Sequence, residues 1–295
     1  MHSAPTLGTG TSGTLHPTHP THLYAPVRTY DLPVPPTLIG IPYDASSSFL
    51  RGSAAAPPLI RQAINSAAGN RFAELGADLS RLEDAGDLAL PDDAAASRAL
   101  IQAAIELQLS KGAAPLCLGG DHSITYPIMR AVATHHPGAT ILHIDAHGDV
   151  YDEFEGDRYS HACPFARIME EQLCGRLVQA GIRTLTPHQR EQITRFGIEC
   201  IEMQHFAGGA RPRIDDDVYL SIDLDGLDPA FAPGVSHREP GGLTVRDVVS
   251  LIHALKGPIV GADVVELNPS QDLGGVTASV AAKITREIAG RMLLG

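Results

Sequence analysis

Apolar residues fall along this chain in short unbroken runs, separated by stretches in which they recur every three to four positions. The runs 38–42, 114–118, 139–144, 177–183, 199–202, 218–222 and 259–265 are four to seven residues long. Runs of that length, bounded by Gly, Pro and Asp, read as buried strands. Between them lie helical periods. Over 94–111, Leu100, Ile101, Ala104, Ile105 and Leu107 keep a helical spacing, and Gly112 can end the helix. Over 122–134, Ile124, Pro127, Ile128 and Val132 do the same. Helices are also predicted over 163–171, 187–196, 245–255 and 277–294, with Thr244 placed to cap the third of these. The prolines at 57 and 58 suit a helix start, and Ile60 and Ile64 would face the sheet. Residues 206–213 read as a surface loop. Strands alternating with helices predict a parallel sheet covered on both faces.

Three of the runs end in metal-competent side chains. The strand 139–144 leads into Asp145-Ala146-His147-Gly148-Asp149. If extended geometry persists, Asp145, His147 and Asp149 point to one side, at the carboxyl end of a strand, where α/β sheets bind ligands. A solvated polar turn is the bland alternative for this stretch alone. The strand 218–222 leads into Asp223-Leu224-Asp225, again two apart, and the strand 114–118 into Gly119-Gly120-Asp121-His122-Ser123. The glycine pair permits a tight turn that sets His122 at the start of the next helix. Two imidazoles and four carboxylates (His122, Asp145, His147, Asp149, Asp223 and Asp225) suit two borderline-to-hard cations that share carboxylates, and exceed what one zinc site needs.

These three motifs, in this order, resemble the signatures of the arginase/agmatinase (ureohydrolase) family. The likeness runs from about residue 37 to the C-terminus. It is nearest the plant-arginase-like branch, on Ser47-Ser48-Phe49-Leu50-Arg51-Gly52, Tyr159-Ser160-His161-Ala162 and Gly234-Val235-Ser236-His237-Arg238-Glu239-Pro240-Gly241-Gly242-Leu243. The resemblance implies a three-layer α/β/α domain with an eight-stranded, mostly parallel sheet, and a further short strand at 82–87. It implies two Mn2+ per subunit, one on His122, Asp145, Asp149 and Asp223, the other on Asp145, His147, Asp223 and Asp225. Asp145 and Asp223 would be shared. It makes His161 the proton shuttle and Glu266 the carboxylate that grips a guanidinium, a natural pair for a planar fork of donors. Asp149 joins these two as a catalytic residue, and Asp121 and Asp228 would orient ligands. A guanidinium carbon is a poor electrophile, and two cations sharing a water answer that difficulty. The products would be urea and a primary amine.

Substrate choice is read from the long loop after Asp149. Asp152, Glu153, Glu155 and Asp157 make it acidic. Acids at the mouth would repel an α-carboxylate and favour the distal amine of agmatine, so agmatine is the expected substrate. L-arginine is the alternative, with guanidinobutyrate a further one. Tyr151, Asp157 and Ser160 are expected to contact substrate beside Glu266, and Arg158 or Arg238 would serve a carboxylate instead. Animal-type arginases carry an Asn where this chain has Tyr151; the plant branch also lacks that Asn.

Composition narrows the remaining classes. A net charge of −12 argues against nucleic acid or an anionic membrane surface as partner. No apolar run approaches a membrane span, and no apolar segment marks a secretory signal. Cys117, Cys163, Cys174 and Cys200 show no paired spacing and read as reduced thiols. A cytoplasmic protein is therefore expected. The resemblance implies a homo-oligomer, a trimer or hexamer. The chain divides into a Thr/Pro/His-rich arm at 1–33, which cannot build a core, and one catalytic domain at 34–295. A one-zinc amide hydrolase of the related deacetylase group, and a scaffold that has lost the chemistry, are the competing readings. The complete six-residue ligand set speaks against both.

Overall fold

In the computed structural model, which describes residues 1–2 and 35–295, the seven apolar runs and the short segment at 82–87 become eight strands of one sheet. They are β1 (Thr37–Gly40), β2 (Glu83–Asp87), β3 (Pro115–Leu118), β4 (Thr140–Ile144), β5 (Arg176–Ile182), β6 (Glu199–Glu202), β7 (Val218–Asp223) and β8 (Ile259–Val265). Their order across the sheet is β2-β1-β3-β8-β7-β4-β5-β6, and every neighbouring pair is parallel. The expected arm at 1–33 lies outside the described residues, apart from residues 1–2. Pro33–Gly295 forms one compact unit.

The central strands are buried along their whole length, as parallel strands covered on both faces must be. Alternate residues feed two separate cores. Leu116 and Leu118, Leu142 and Ile144, and Leu220 and Ile222 face one side, with Ile60 of α1 (Ala56–Ile64), Val248 and Ile252 of α7 (Val245–Ala254), and α8 (Val276–Leu294). Cys117, Ile141 and Tyr219 face the other, with Ile101 and Ile105 of α2 (Ala94–Ser110), Ile128 and Val132 of α3 (Thr125–His135), and Phe165 of α4 (Pro164–Glu170). On that side Ile193 and Phe196 of α5 (Pro187–Phe196) pack as well. The result is the three-layer α/β/α architecture.

Three local expectations change. The sheet is wholly rather than mostly parallel. Leu107 is exposed, and the buried stripe of α2 is Ser97, Ile101, Ile105 and Leu109; the i, i+4 row fixes that stripe. Residues 206–213 are not all loop, because a five-residue helix α6 (Met203–Ala207) seats Phe206 in the core. One turn is too short for a period to register. At the open edge, β2 is largely exposed, and Arg61 bridges Asp84 at 2.9 Å and also pairs with Asp87.

The topology places the site. Four adjacent strands, β3, β8, β7 and β4, end side by side. At their carboxyl ends stand His122, Glu266, Asp223 with Asp225, and Asp145 with Asp149.

Candidate metal centre and active site

The turn after β3 is tight because it passes directly under another backbone. Gly120 N donates to Ile41 O and Asp121 N to Tyr43 O, and a Cβ at Gly120 would overlap the Tyr43 carbonyl. Beyond the turn, Asp121 caps the short 3-10 helix His122–Ile124 through Ser123 N at 3.1 Å. Its other oxygen holds Ser46 N at 3.0 Å, tying the 44–52 loop to the site. Burial, and then the neighbouring Glu266 carboxylate, push the Asp121 carboxyl up to about 7.

His122 is fully buried. Its Nδ1 lies 3.3 Å from Asp145 Oδ2, 3.1 Å from Asp149 Oδ2 and 3.1 Å from Asp223 Oδ2. His147 Nδ1 lies 3.4 Å from Asp145 Oδ1 and 3.1 Å from Asp225 Oδ2. Two groups result, His122 with Asp145, Asp149 and Asp223, and His147 with Asp145 and Asp225. Asp145 offers one oxygen to each. Asp223 joins only the first group, and its Oδ1 accepts from Asp225 N at 2.8 Å.

The imidazole of His122 is fixed by a second set of contacts. Asp263 accepts from Ser221 Oγ at 2.7 Å, and Ser221 Oγ lies 2.9 Å from His122 Nε2. A carboxylate only accepts, so the single hydroxyl proton is committed to Asp263. Ser221 Oγ must then accept from His122 Nε2–H. In the neutral ring the Nδ1 lone pair is left facing three carboxylate oxygens with no aligned hydrogen bond, and against the effect of burial those carboxylates raise the His122 pKa well above its usual value. A buried acceptor among acceptors is costly alone and fits a cation. Burial would raise the Asp145 carboxyl, but His143, His122 and His147 hold it well below the usual range. Burial, with repulsion from Asp225 and Asp145, pushes Asp223 well up. Asp225 rises to about 6 through burial, against the pull of His147.

Beside this floor, Glu266 Oε1 accepts from His122 N at 2.9 Å and pairs with His161 Nδ1 at 2.9 Å. Glu266 holds a left-handed φ of 65°, a conformation that costs on the order of 1–3 kcal/mol away from glycine. These two contacts and the bond from Glu266 N to Gly120 O at 2.9 Å secure it. On the far side of the His161 ring, Nε2 meets Ser48 Oγ at 2.8 Å and Ser48 N at 3.2 Å. Burial lowers the His161 pKa, but the Glu266 carboxylate outweighs it and raises the imidazole to about 9.

A cavity of ≈ 160 Å³ opens above these groups, and among the described residues its lining includes no Lys or Arg. Of the expected substrate contacts, Glu266 and Tyr151 line it. The Tyr151 hydroxyl donates to Thr186 Oγ1 at 3.2 Å. Ser160 is buried behind the wall, 3.5 Å from Ser46 O. Asp157 is exposed, outside the lining, and accepts from Tyr159 N at 2.8 Å. Asp152 is held by Gln192 at 2.7 Å and Arg195 at 3.3 Å. Arg158 pairs with Glu170 at 3.0 Å, and Arg238 donates to Pro233 O at 2.7 Å. None of the four acids of the loop lines the cavity. Sequence reasoning missed Ser48, His143, Thr184, Gln189 and His237. Ser48 and His237 lie within stretches that carry the family resemblance, and His143 stands two residues before Asp145 on the same strand face; Thr184 and Gln189 carried no signal.

Comparison with known proteins shows the family. The Arginase family profile matches residues 35–290. Arginase 1, mitochondrial, of Arabidopsis thaliana is 46% identical over 276 residues, covering 87% of this chain and 80% of that protein. Agmatinase, mitochondrial, of Gallus gallus is 35% identical over 289 residues, covering 90% and 83%. The solved arginase from Medicago truncatula superposes with a TM-score of 0.85 at 44% identity, covering 89% of each chain. Two expectations are corrected. The lean to agmatine is not supported, since plant arginases are more similar than the agmatinase and none of the loop's four acids lines the cavity. The cytoplasmic expectation is overturned, because several of the similar plant arginases are mitochondrial or chloroplastic by name. Transit peptides are amphipathic and need no apolar segment.

Proposed function

This chain belongs to the arginase family, and on that premise we propose that it hydrolyses L-arginine to urea and L-ornithine with two Mn2+ ions. The observation that carries the reading is the pair of His/Asp groups sharing Asp145 beside the Glu266–His161 pair. Similarity to plant arginases favours L-arginine among guanidino substrates.

His122, Asp145, Asp149 and Asp223 would hold one cation, and Asp145, His147 and Asp225 the other. Oxygen and imidazole donors without thiolate suit Mn2+. Bound there, the two ions would supply Lewis acidity and an activated water. The chain's own residues do the rest. Glu266 lines the cavity, and among the described residues Oε2 is free of the bonds that tie Oε1, so the carboxylate can take the guanidinium fork. Holding the guanidinium against a fixed floor supplies much of the advantage of proximity. His161 keeps a proton at Nε2 beside Ser48 Oγ, and there it can pass to the departing amine. In its neutral form Nε2 accepts from Ser48 N–H at 3.2 Å, and in both forms Nδ1–H stays on Glu266 Oε1.

The test is urea release by the manganese-loaded protein from L-arginine, agmatine, guanidinobutyrate and guanidine run side by side. The reading expects L-arginine to give the highest kcat/KM. A higher value for agmatine would overturn the substrate, and no urea from any of the four would overturn the reaction.

A further inference from the structure

One fully buried side-chain pair has no part in the chemistry above. His143 stands on β4 and Gln179 directly opposite on β5, and neither is exposed. Gln179 Nε2 lies 2.7 Å from Gly148 O and 3.0 Å from His143 Nδ1. A backbone carbonyl can only accept, so the atom facing it is the NH2 group, and the orientation of the amide follows. Its second hydrogen points at His143 Nδ1, which must therefore be the acceptor. The imidazole proton then sits on Nε2, 2.7 Å from Asp145 Oδ2. The ring is held flat against Phe165, with centroids 4.0 Å apart and planes at 28°.

We infer that His143 is a hydrogen-bond donor locked by Gln179, and that it orients the shared carboxylate Asp145 for its two cations. This rests on the two-cation reading of the site. His143, His122 and Asp145 lie close enough to suggest a third metal group, but the His143 nitrogen that faces Asp145 carries a proton and has no lone pair to give. It is a positioning residue. Asp145 is gripped at both oxygens, by His143 at Oδ2 and by His147 N at Oδ1 at 2.6 Å. That grip turns one oxygen toward each group before any cation arrives. Gln179 also holds Gly148 O, next to the ligand Asp149, so one amide steadies both ends of the Asp145–Asp149 turn. Partners of this kind typically change metal affinity 10–100-fold when removed.

The test compares His143→Phe, His143→Gln and Gln179→Met with the wild-type chain, all loaded with manganese. Each is equilibrated against a graded series of chelator, metal per chain is counted by elemental analysis, and thermal unfolding is recorded in parallel. His143→Phe keeps the flat ring and loses the donor; it should give up manganese at roughly 10–100-fold lower chelator. His143→Gln restores an amide donor and should recover most of that loss. Gln179→Met leaves His143 free to adopt either tautomer and should fall between them, which keeps the test decisive if His143→Phe does not fold. Manganese retention by His143→Phe equal to wild type would overturn the inference. So would His143→Gln losing one ion outright, since that is the behaviour of a ligand. A wild-type chain that binds fewer than two ions sinks the two-cation reading itself, a result the variants cannot mimic.

Discussion

The floor of the site and its rim are built on opposite terms. The floor is carried by the ends of four adjacent strands, and Asp145, His122, Asp223 and Asp225 are all buried. Each of its side chains stands within five residues of a strand end, His122 and Asp225 on short 3-10 helices and Asp149 in a turn at a left-handed φ of 48°. The rim is carried by the 150–161 loop and the 233–243 loop, whose charged groups find partners on neighbouring surface elements: Asp152 with Arg195, Arg158 with Glu170, Arg238 with Gln271. A strand end fixes the place of the few residues just beyond it. In a loop, the same residue types say nothing about direction. An acidic loop near a site is therefore poor evidence for an acidic site, and here it misled the choice of substrate.

The contrast predicts a gradient of effects from floor to rim. Asp145→Asn strikes the one carboxylate shared by both groups. It should cost several kcal/mol of transition-state stabilisation, about 10³-fold or more in kcat, and elemental analysis should find less than two metals per chain. His161→Ala should lower kcat by roughly 10²–10⁴-fold while metal content stays at the wild-type level, which separates proton delivery from metal binding. In the intact protein, kcat should fall as pH rises through about 9, where His161 loses its proton; a pH profile flat to 10 would remove His161 as donor. His237 lines the cavity at the inner side of the rim, and its ring nitrogens make no hydrogen bond among the described residues. His237→Ala should raise KM for L-arginine by about tenfold, the value of one lost hydrogen bond to a charged group. Asp157→Asn, on the outer rim, should leave the ratio of kcat/KM for L-arginine and agmatine within about twofold. A larger change would show that the loop closes over substrate and would erase the contrast.

The fold and the floor were legible because their signals are local. Apolar runs set the strands, and the three ligand motifs each sit within five residues of a strand end. The three-layer α/β/α architecture and the parallel sheet follow from that alternation. What escaped depends on pairings that a single run cannot express. His143 reads as one more buried position in an apolar run until Gln179, 36 residues on, is laid beside it. Ser48 meets His161 across 113 residues, and His161 meets Glu266 across 105. The α6 helix escaped because one apolar anchor, Phe206, and one turn are too little for a period.

The strand order has a consequence for how the chain is made. β3 and β4 follow one another in sequence, yet β8 and β7 lie between them in the sheet. Until the last third of the polypeptide has emerged, β2-β1-β3 and β4-β5-β6 are two half-sheets, each with an open inner edge of unpaired backbone. Such edges invite pairing with other chains, and contacts this distant in sequence form slowly. The final strands are thus a keystone inserted late, and the catalytic floor comes into being only at that step. A chain that stops before residue 218 holds two open half-sheets and an incomplete floor.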